Sequence, residues 1–275
     1  MLATVALVLL AGLGAGALGA LLGVGGAVLI VPLVHVGLGY PIFTAASVGL
    51  LTVIATSVAV SSAAETQRIL NVRLALVLLV ASVAGALGGV HAVRSVVSER
   101  SAELIYGITS VAIAIVMLQR LERRNIASIE LVGGGPLDGC FDEYESGCRV
   151  WYRVRRLPLA VAAAGVAGVV SSVVGVGGGM VVVPVLNAWC GVPLRVAAVT
   201  SAFMIGVTAV PGIVGHYQLG HLTTPELAAG AVLGVLAGAR LGLWLSDRAP
   251  VRSLKLLMAG LLTIVGTLYL LRGSL

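Results

Sequence analysis

The sequence predicts an all-α fold, a polytopic membrane helical bundle, and three observations carry that prediction. Of 275 residues, 59% are hydrophobic and only 10% are charged, where a soluble domain carries about a quarter charged. Mean hydropathy is +1.11, more apolar surface than a water-soluble fold can bury. The uncharged runs are also the right length. Met1–Pro32, Leu74–Val90, Leu104–Leu118, Leu157–Gly191, Val196–Gly215 and Leu256–Leu271 contain no Asp, Glu, Lys or Arg, and a bilayer crossing needs roughly 20 residues with wide scatter. None shows the strict alternation of a barrel strand. Aromatic residues are only 4% of the chain and glycines number 37, so small residues are left to make the close helix contacts favoured in lipid.

Taken in order, the first run lacks a basic leader and enters a glycine-rich break at Gly23, so it reads as a retained membrane segment rather than a cleaved signal. Three further apolar segments follow, up to Leu118. Residues 119–156 then hold nearly all the mid-chain charge and divide the membrane part into an N-terminal unit, 1–118, and a C-terminal unit, 157–275. The net charge of +6 is not a nucleic-acid signal, because the basic residues lie between apolar runs. Such placement reads as membrane topology.

The two units repeat one another. Leu22–Ala46 aligns without a gap to Val174–Ala198 at an offset of 152, with ten identities in 25 pairs. They include Gly23/Gly175, Gly25/Gly177, Gly26/Gly178, Gly39/Gly191, Pro32/Pro184 and Pro41/Pro193. Chance matching in an apolar chain produces Val and Ala pairs more readily than helix breakers in register. Further on, Gly85–Gly89 resembles Gly234–Gly238 and Gly107 falls opposite Gly260. Each unit is thus expected to hold a glycine-broken hairpin followed by three ordinary crossings.

Charge predicts how the units are oriented. If each break closes a hairpin, the side holding residues 119–156 carries 13 basic residues and the other only Arg94, Arg100 and Arg272, with Arg240 inside a helix and uncounted. If each break is a single crossing, the split is ten to six. Positive-inside bias favours the hairpins, hence inverted repeats with a cytoplasmic connecting loop in a cell (inner or plasma) membrane.

Several glycines together in an apolar run favour unwound backbone, since each costs about 1 kcal/mol in a helix interior. Open backbone in hydrocarbon must lie inside protein or along a cavity. A short helix restarting at Ala27 or Met180 presents free N–H groups and a positive dipole end, which suits an anion. The substrate-binding candidates are therefore Gly23, Gly25, Gly26 and Ala27, with Gly175, Gly177, Gly178, Gly179 and Met180. The rival reading is that these glycines only permit tight helix crossing. Thr200 and Ser201, like Ser47, are placed at the start of the next helix of each unit, to cap it or touch substrate. His35 and Asn187, in equivalent positions beyond Pro32 and Pro184, either line the pathway or sit hydrated at the interface. Arg240 either holds the anion or snorkels, and His91, its counterpart in the glycine matching, either carries a proton or is interfacial. His216 and His221 are expected in a solvated loop.

No metalloprotease, phosphate-loop or nucleophile-elbow motif occurs, so neither an enzyme nor an ATP-driven motor is expected. Nothing calls for a cofactor or a metal. Cys140 and Cys148 lie among Asp138, Asp142, Glu143 and Glu145 without zinc-site spacing, and are expected as free thiols in a solvated loop. The expected partners are a small anionic substrate and the lipid bilayer, and a homo-oligomer is compatible with the sequence.

Gly23–Pro32 and Gly175–Pro184, each a glycine break followed by a Val/Leu run and a proline, resemble the TauE/SafE family of membrane proteins. These are the sulfite and organosulfonate exporters grouped with toluene sulfonate uptake permeases. The resemblance spans roughly residues 2–118 and 157–271 and implies a secondary transporter whose cargo is a small sulfur-containing anion. The residues alone imply only an anion. A passive anion channel, or a membrane-embedded structural or enzymatic subunit, are the alternatives.

Overall fold

The computed structural model describes residues 2–119, 137–142, 149–246 and 251–274. Leu2–Leu22 form α1, an uncharged helix that stops where Gly23 turns to φ +66°. After the break, α2 spans Ala27–Pro32 and passes into a π-helical turn, Leu33–Gly37. Pro32 has no N–H to return to the preceding turn, and regular bonding loosens there. The bond from Leu38 N–H to Leu33 O spans five residues, at 3.0 Å.

Long helix α3 (Ile42–Ser61) begins after Pro41, and a short α4 (Ala64–Ile69) follows. Helix α5 (Val72–Ser95) is capped by Asn71, whose side-chain oxygen accepts from Leu74 N–H at 3.0 Å, and α6 spans Glu99–Gln119. Strands β1 (Gly139–Asp142) and β2 (Arg149–Tyr152) pair antiparallel. The order of the first half then returns: α7 (Leu157–Val174), a break, short α8 (Gly179–Ala188), α9 (Leu194–Gln218), α10 (Pro225–Ser246) and α11 (Val251–Ser274). Among the described residues, eight helices are long and apolar enough to cross a membrane: α1, α3, α5, α6, α7, α9, α10 and α11.

Three sequence expectations need correction. Ser47, Thr200 and Ser201 do not begin their helices. The helices start at Ile42 and Leu194, directly after Pro41 and Pro193. A proline has no N–H to lose at a helix start. The second short helix begins at Gly179, one residue before Met180. His216 is not in a solvated loop: α9 runs 25 residues and buries it at 2% exposure.

Backbones approach closely through small residues. Gly230, Gly234, Gly238 and Gly242 of α10 lie against Val5, Leu9, Leu13 and Ala17 of α1, so the two helices run parallel, touching every fourth residue. A methyl group on Gly238 would collide with the Leu13 carbonyl oxygen. Helices α5 and α7 are also parallel, Gly85 against Gly165 and Gly89 against Val169. By contrast α3 and α9 are antiparallel (Ser57 by Gly206, Leu50 by Gly212), as are α6 and α11 (Gly107 by Leu270, Val111 by Gly266). In lipid such contacts supply association that the hydrophobic effect does not. Of the α3 span 83% is buried, against 28% of α5. Helices α3 and α9 therefore form the centre, while Leu76, Val80 and Leu87 of α5, Leu233, Leu241 and Trp244 of α10, and Ile264 of α11 face outward.

The described part of the connecting segment is fastened rather than free. Asn71 Nδ2 donates to Leu137 O at 2.9 Å and to Tyr152 Oη at 3.0 Å, and Arg155 N–H donates to Cys190 O at 2.8 Å. Burial pushes the Cys190 thiol up to about 11, with Arg156 opposing, so it stays a neutral thiol near pH 7. Cys140 is a free thiol, half-buried on β1. Cys148, Glu143 and Glu145 lie outside the described residues.

Candidate functional site

The two glycine breaks meet at the centre of the bundle. Gly23, Gly25, Gly175 and Gly177 take φ of +66°, +86°, +79° and +81°, left-handed values open to glycine at no steric cost. Every residue of 23–26 and 175–179 is buried. A side chain on Gly23 would enter the Ala198 backbone of α9, and one on Gly175 the Ala46 backbone of α3. Contact between the breaks is direct. A Cβ on Gly179 would overlap Gly23 O and stand 2.9 Å from Val24 Cα, and one on Gly177 would stand 3.3 Å from Val24 O. Val53 of α3 lies over both Gly25 and Gly177, and Ile205 of α9 over Gly25.

Polar groups at this junction are backbone amides and hydroxyls. Gly26 N–H donates to Thr56 Oγ1 at 3.2 Å, while Thr56 Oγ1 donates to Thr52 O at 2.8 Å. Helix α8 starts at Gly179; Val181 and Val182 N–H donate to Gly178 O at 3.1 Å, which leaves the Gly179 and Met180 N–H groups without acceptors in the helix. Beside it sits Ser201, fully buried, its Oγ 3.1 Å from where a Gly179 Cβ would stand and without a hydrogen-bond partner among the described residues. Buried polar groups rarely stay unsatisfied, so this hydroxyl is available to a ligand. No acidic side chain belongs to either break. Donors without a carboxylate suit an anion. Among the described residues no group of three or more His, Cys, Asp or Glu could hold a metal ion. A crevice of about 10 Å³ beside Gly25 and Gly26 has room for one water at most.

The structure gathers Gly23, Gly25, Gly26, Ala27, Gly175, Gly177, Gly178, Gly179 and Ser201 here, with Met180 in the first turn of α8. Thr200 is a neighbour in sequence but accepts from Asn71 N–H at 3.4 Å, towards the β-hairpin. Ser47 donates to Thr44 O at 2.7 Å and reaches the His221 carbonyl at 3.5 Å. Arg240 is exposed on α10. His91 is exposed too, lining a surface groove with Arg94, Gly215 and Gln218.

His35 and Asn187 tie off equivalent turns. His35 Nδ1 meets Tyr40 O at 2.7 Å and Asn187 Nδ2 donates to Val192 O at 3.1 Å, each five residues ahead. His216 Nδ1 lies 3.0 Å from His221 Nδ1, its Nε2 donates to Ser172 O at 2.8 Å, and Phe43 stacks on His221. Burial holds His221 below the usual imidazole value, with Glu99 opposing. Sequence reading missed Thr52 and Thr56. Their signal was present: with Gly49 they recur at three and four residues along α3, marking one face.

Among the described residues, eight helices apolar and long enough to cross a membrane surround two packed, buried helix breaks, the build of a multi-pass membrane protein. The chain belongs to the TauE/SafE sulfite exporter family, whose profile matches residues 8–269. It is similar to the probable membrane transporter protein YunE of Bacillus subtilis, 25% identical over 270 residues, 95% of this chain and 96% of that one. A probable membrane transporter protein of Methanocaldococcus jannaschii is 24% identical over 115 residues, 38% of this chain and 42% of its own. No solved structure matches significantly.

Proposed function

We propose that the protein is a secondary transporter that moves a small sulfur-containing anion, such as sulfite or a sulfonate, by alternating access about the glycine junction. The observation that carries this reading is the unpartnered, fully buried Ser201 hydroxyl beside the amino end of α8, where two unwound breaks meet. Donors gathered without a carboxylate favour an anion, and helix breaks facing each other at a repeat interface are the usual build of a transporter site. Sulfur enters from the family's description as sulfite exporters. Closed packing of Val53 and Ile205 over the junction favours alternating access over a standing pore. The test is flux into proteoliposomes across labelled sulfite, sulfonates, sulfate and carboxylates. Saturable uptake with counterflow for a sulfur anion is expected. Unsaturable flux would make it a channel, and preference for carboxylates would remove the sulfur assignment.

The reading includes two inverted repeats. Equivalent helices of same-facing copies would run parallel, yet α3 and α9, and likewise α6 and α11, run antiparallel. Exchanging halves also carries the α1–α10 pair onto α7–α5, both parallel. Gly85 rests on Gly165 as Gly238 rests on Leu13, which would make Gly85 the repeat equivalent of Gly238, one turn beyond the glycine matching, with Leu87 equivalent to Arg240 and Trp244 to His91. Single cysteines, one in residues 119–136 and one at Gly220, test the orientation with an impermeant thiol reagent on intact cells. Gly220 is expected to label and the connecting segment to stay protected; the reverse pattern would refute a cytoplasmic connecting segment.

A further inference from the structure

A second polar constellation lies off the junction, where the π-helical turn after α2 packs on α6 and α11. His35 Nε2 stands 2.8 Å from Glu103 Oε1, with side chains 6% and 13% exposed. The His35 ring stacks on Tyr269 of α11 at 5.8 Å and 13°, and Tyr269 Oη has no hydrogen-bond partner among the described residues. Tyr106, one turn beyond Glu103, packs on Tyr269 at 4.6 Å and donates its hydroxyl to Val28 O at 3.1 Å. Val28 is the second residue after the glycine break, so this cluster grips the short helix whose start faces the junction.

Proton counting decides what the pair does. A carbonyl oxygen only accepts, so the 2.7 Å contact with Tyr40 O requires the proton of a neutral His35 on Nδ1. Nε2 then offers a lone pair, and an ionised Glu103 offers another. Two lone pairs do not hold 2.8 Å unless one more proton lies between them, as imidazolium with carboxylate or imidazole with carboxylic acid. Both forms contain one proton beyond the neutral-imidazole, carboxylate state.

We infer that His35 and Glu103 form a proton-binding site that takes up and releases one proton, coupling it to movement of the short helix α2. This rests on the transporter reading and names its coupling ion. Releasing the proton turns an attraction into a repulsion and parts the π-helical turn from α6, while Tyr106 keeps hold of Val28. An ionisable pair inside a membrane segment is costly and marks ion or proton pathways. Its charged and titratable surroundings are Tyr40 in the following turn, Glu99, Arg100 and Tyr106 on α6, and Tyr269 and Arg272 on α11. Helices α3 and α8 carry no acid or base that faces it: α3 has none, and neither does α8.

Two measurements test it. Infrared difference spectra of the protein in nanodiscs between about pH 5 and 9, a range that brackets the ordinary imidazole value, are expected to contain a carboxyl signal absent from Glu103→Gln and displaced in His35→Gln. Superimposable wild-type and Glu103→Gln spectra overturn the proposal whatever the cargo. In proteoliposomes with labelled methanesulfonate, an anion that does not itself titrate, Glu103→Gln is expected to keep equilibrium exchange. Accumulation driven by a pH gradient should fall at least about tenfold, the mark of lost coupling rather than lost binding. Wild-type accumulation by that variant, or exchange by the native protein that a pH gradient never drives, also overturns it. If the native protein neither exchanges nor accumulates methanesulfonate, the sulfonate assignment fails and the infrared result alone decides the proton site.

Discussion

Gly175→Ala and Gly23→Ala are each expected to remove most of the folded protein from the membrane. Both glycines hold left-handed backbone, φ +79° and +66°, which costs a side chain about 1–2 kcal/mol. Both would also place a methyl inside the backbone of a central helix, Ala46 of α3 for Gly175 and Ala198 of α9 for Gly23. Backbone cannot rotate away as a side chain can, so overpacking adds about 1–3 kcal/mol. A combined loss of about 2–5 kcal/mol is a large part of a protein's stability. Thermal melting in detergent, followed by size exclusion, measures it. Native melting of either variant would mean that the close contacts at Ala46 and Ala198 do not exist.

Gly177→Ala is expected to behave differently, folding but losing at least about tenfold in transport, equivalent to 1.4 kcal/mol. The left-handed φ of +81° still costs about 1–2 kcal/mol. Yet the added methyl meets Val53 side-chain carbons at 2.9 and 3.2 Å, and these can yield. What the methyl takes is space at the junction, beside Val24 O and the donors proposed to read the anion. Melting and proteoliposome flux, measured on the same preparation, separate the two original readings of the glycines. Near-native melting with lost flux supports a binding site. A proportional fall in both would leave the glycines as packing residues, and native flux would remove Gly177 from the site.

Much of this arrangement was legible in the residues. The apolar runs marked the crossings, the glycines marked both breaks, and Pro32 marked where regular bonding loosens. Pro41 and Pro193 also announced the starts of α3 and α9, yet the hydroxyls of Ser47 and Thr200 drew the expected starts several residues too late. Hydroxyls inside membrane helices bond back to their own backbone, as Ser47 does to Thr44 O, so they are weak evidence for a cap. Arg240, left open between holding the anion and snorkelling, is exposed on α10. A lone cation in an apolar helix suggests an inward face, but a long side chain near a helix end can reach the headgroups instead.

The sequence by itself determined the membrane setting, the crossings, the two breaks and the family, because hydropathy and helix-breaking are properties of short stretches of chain. Only the tertiary structure decided which faces meet. Helices such as α1 and α9 are apolar all round and carry no stripe to set their rotation. The touching of Gly179 with Gly23, the orphaned hydroxyl of Ser201 and the pairing of His35 with Glu103, 68 residues away, follow from that rotation. It is set by close backbone contacts spread over the bundle, such as Gly238 on Leu13 and Gly85 on Gly165, and no local pattern encodes their sum.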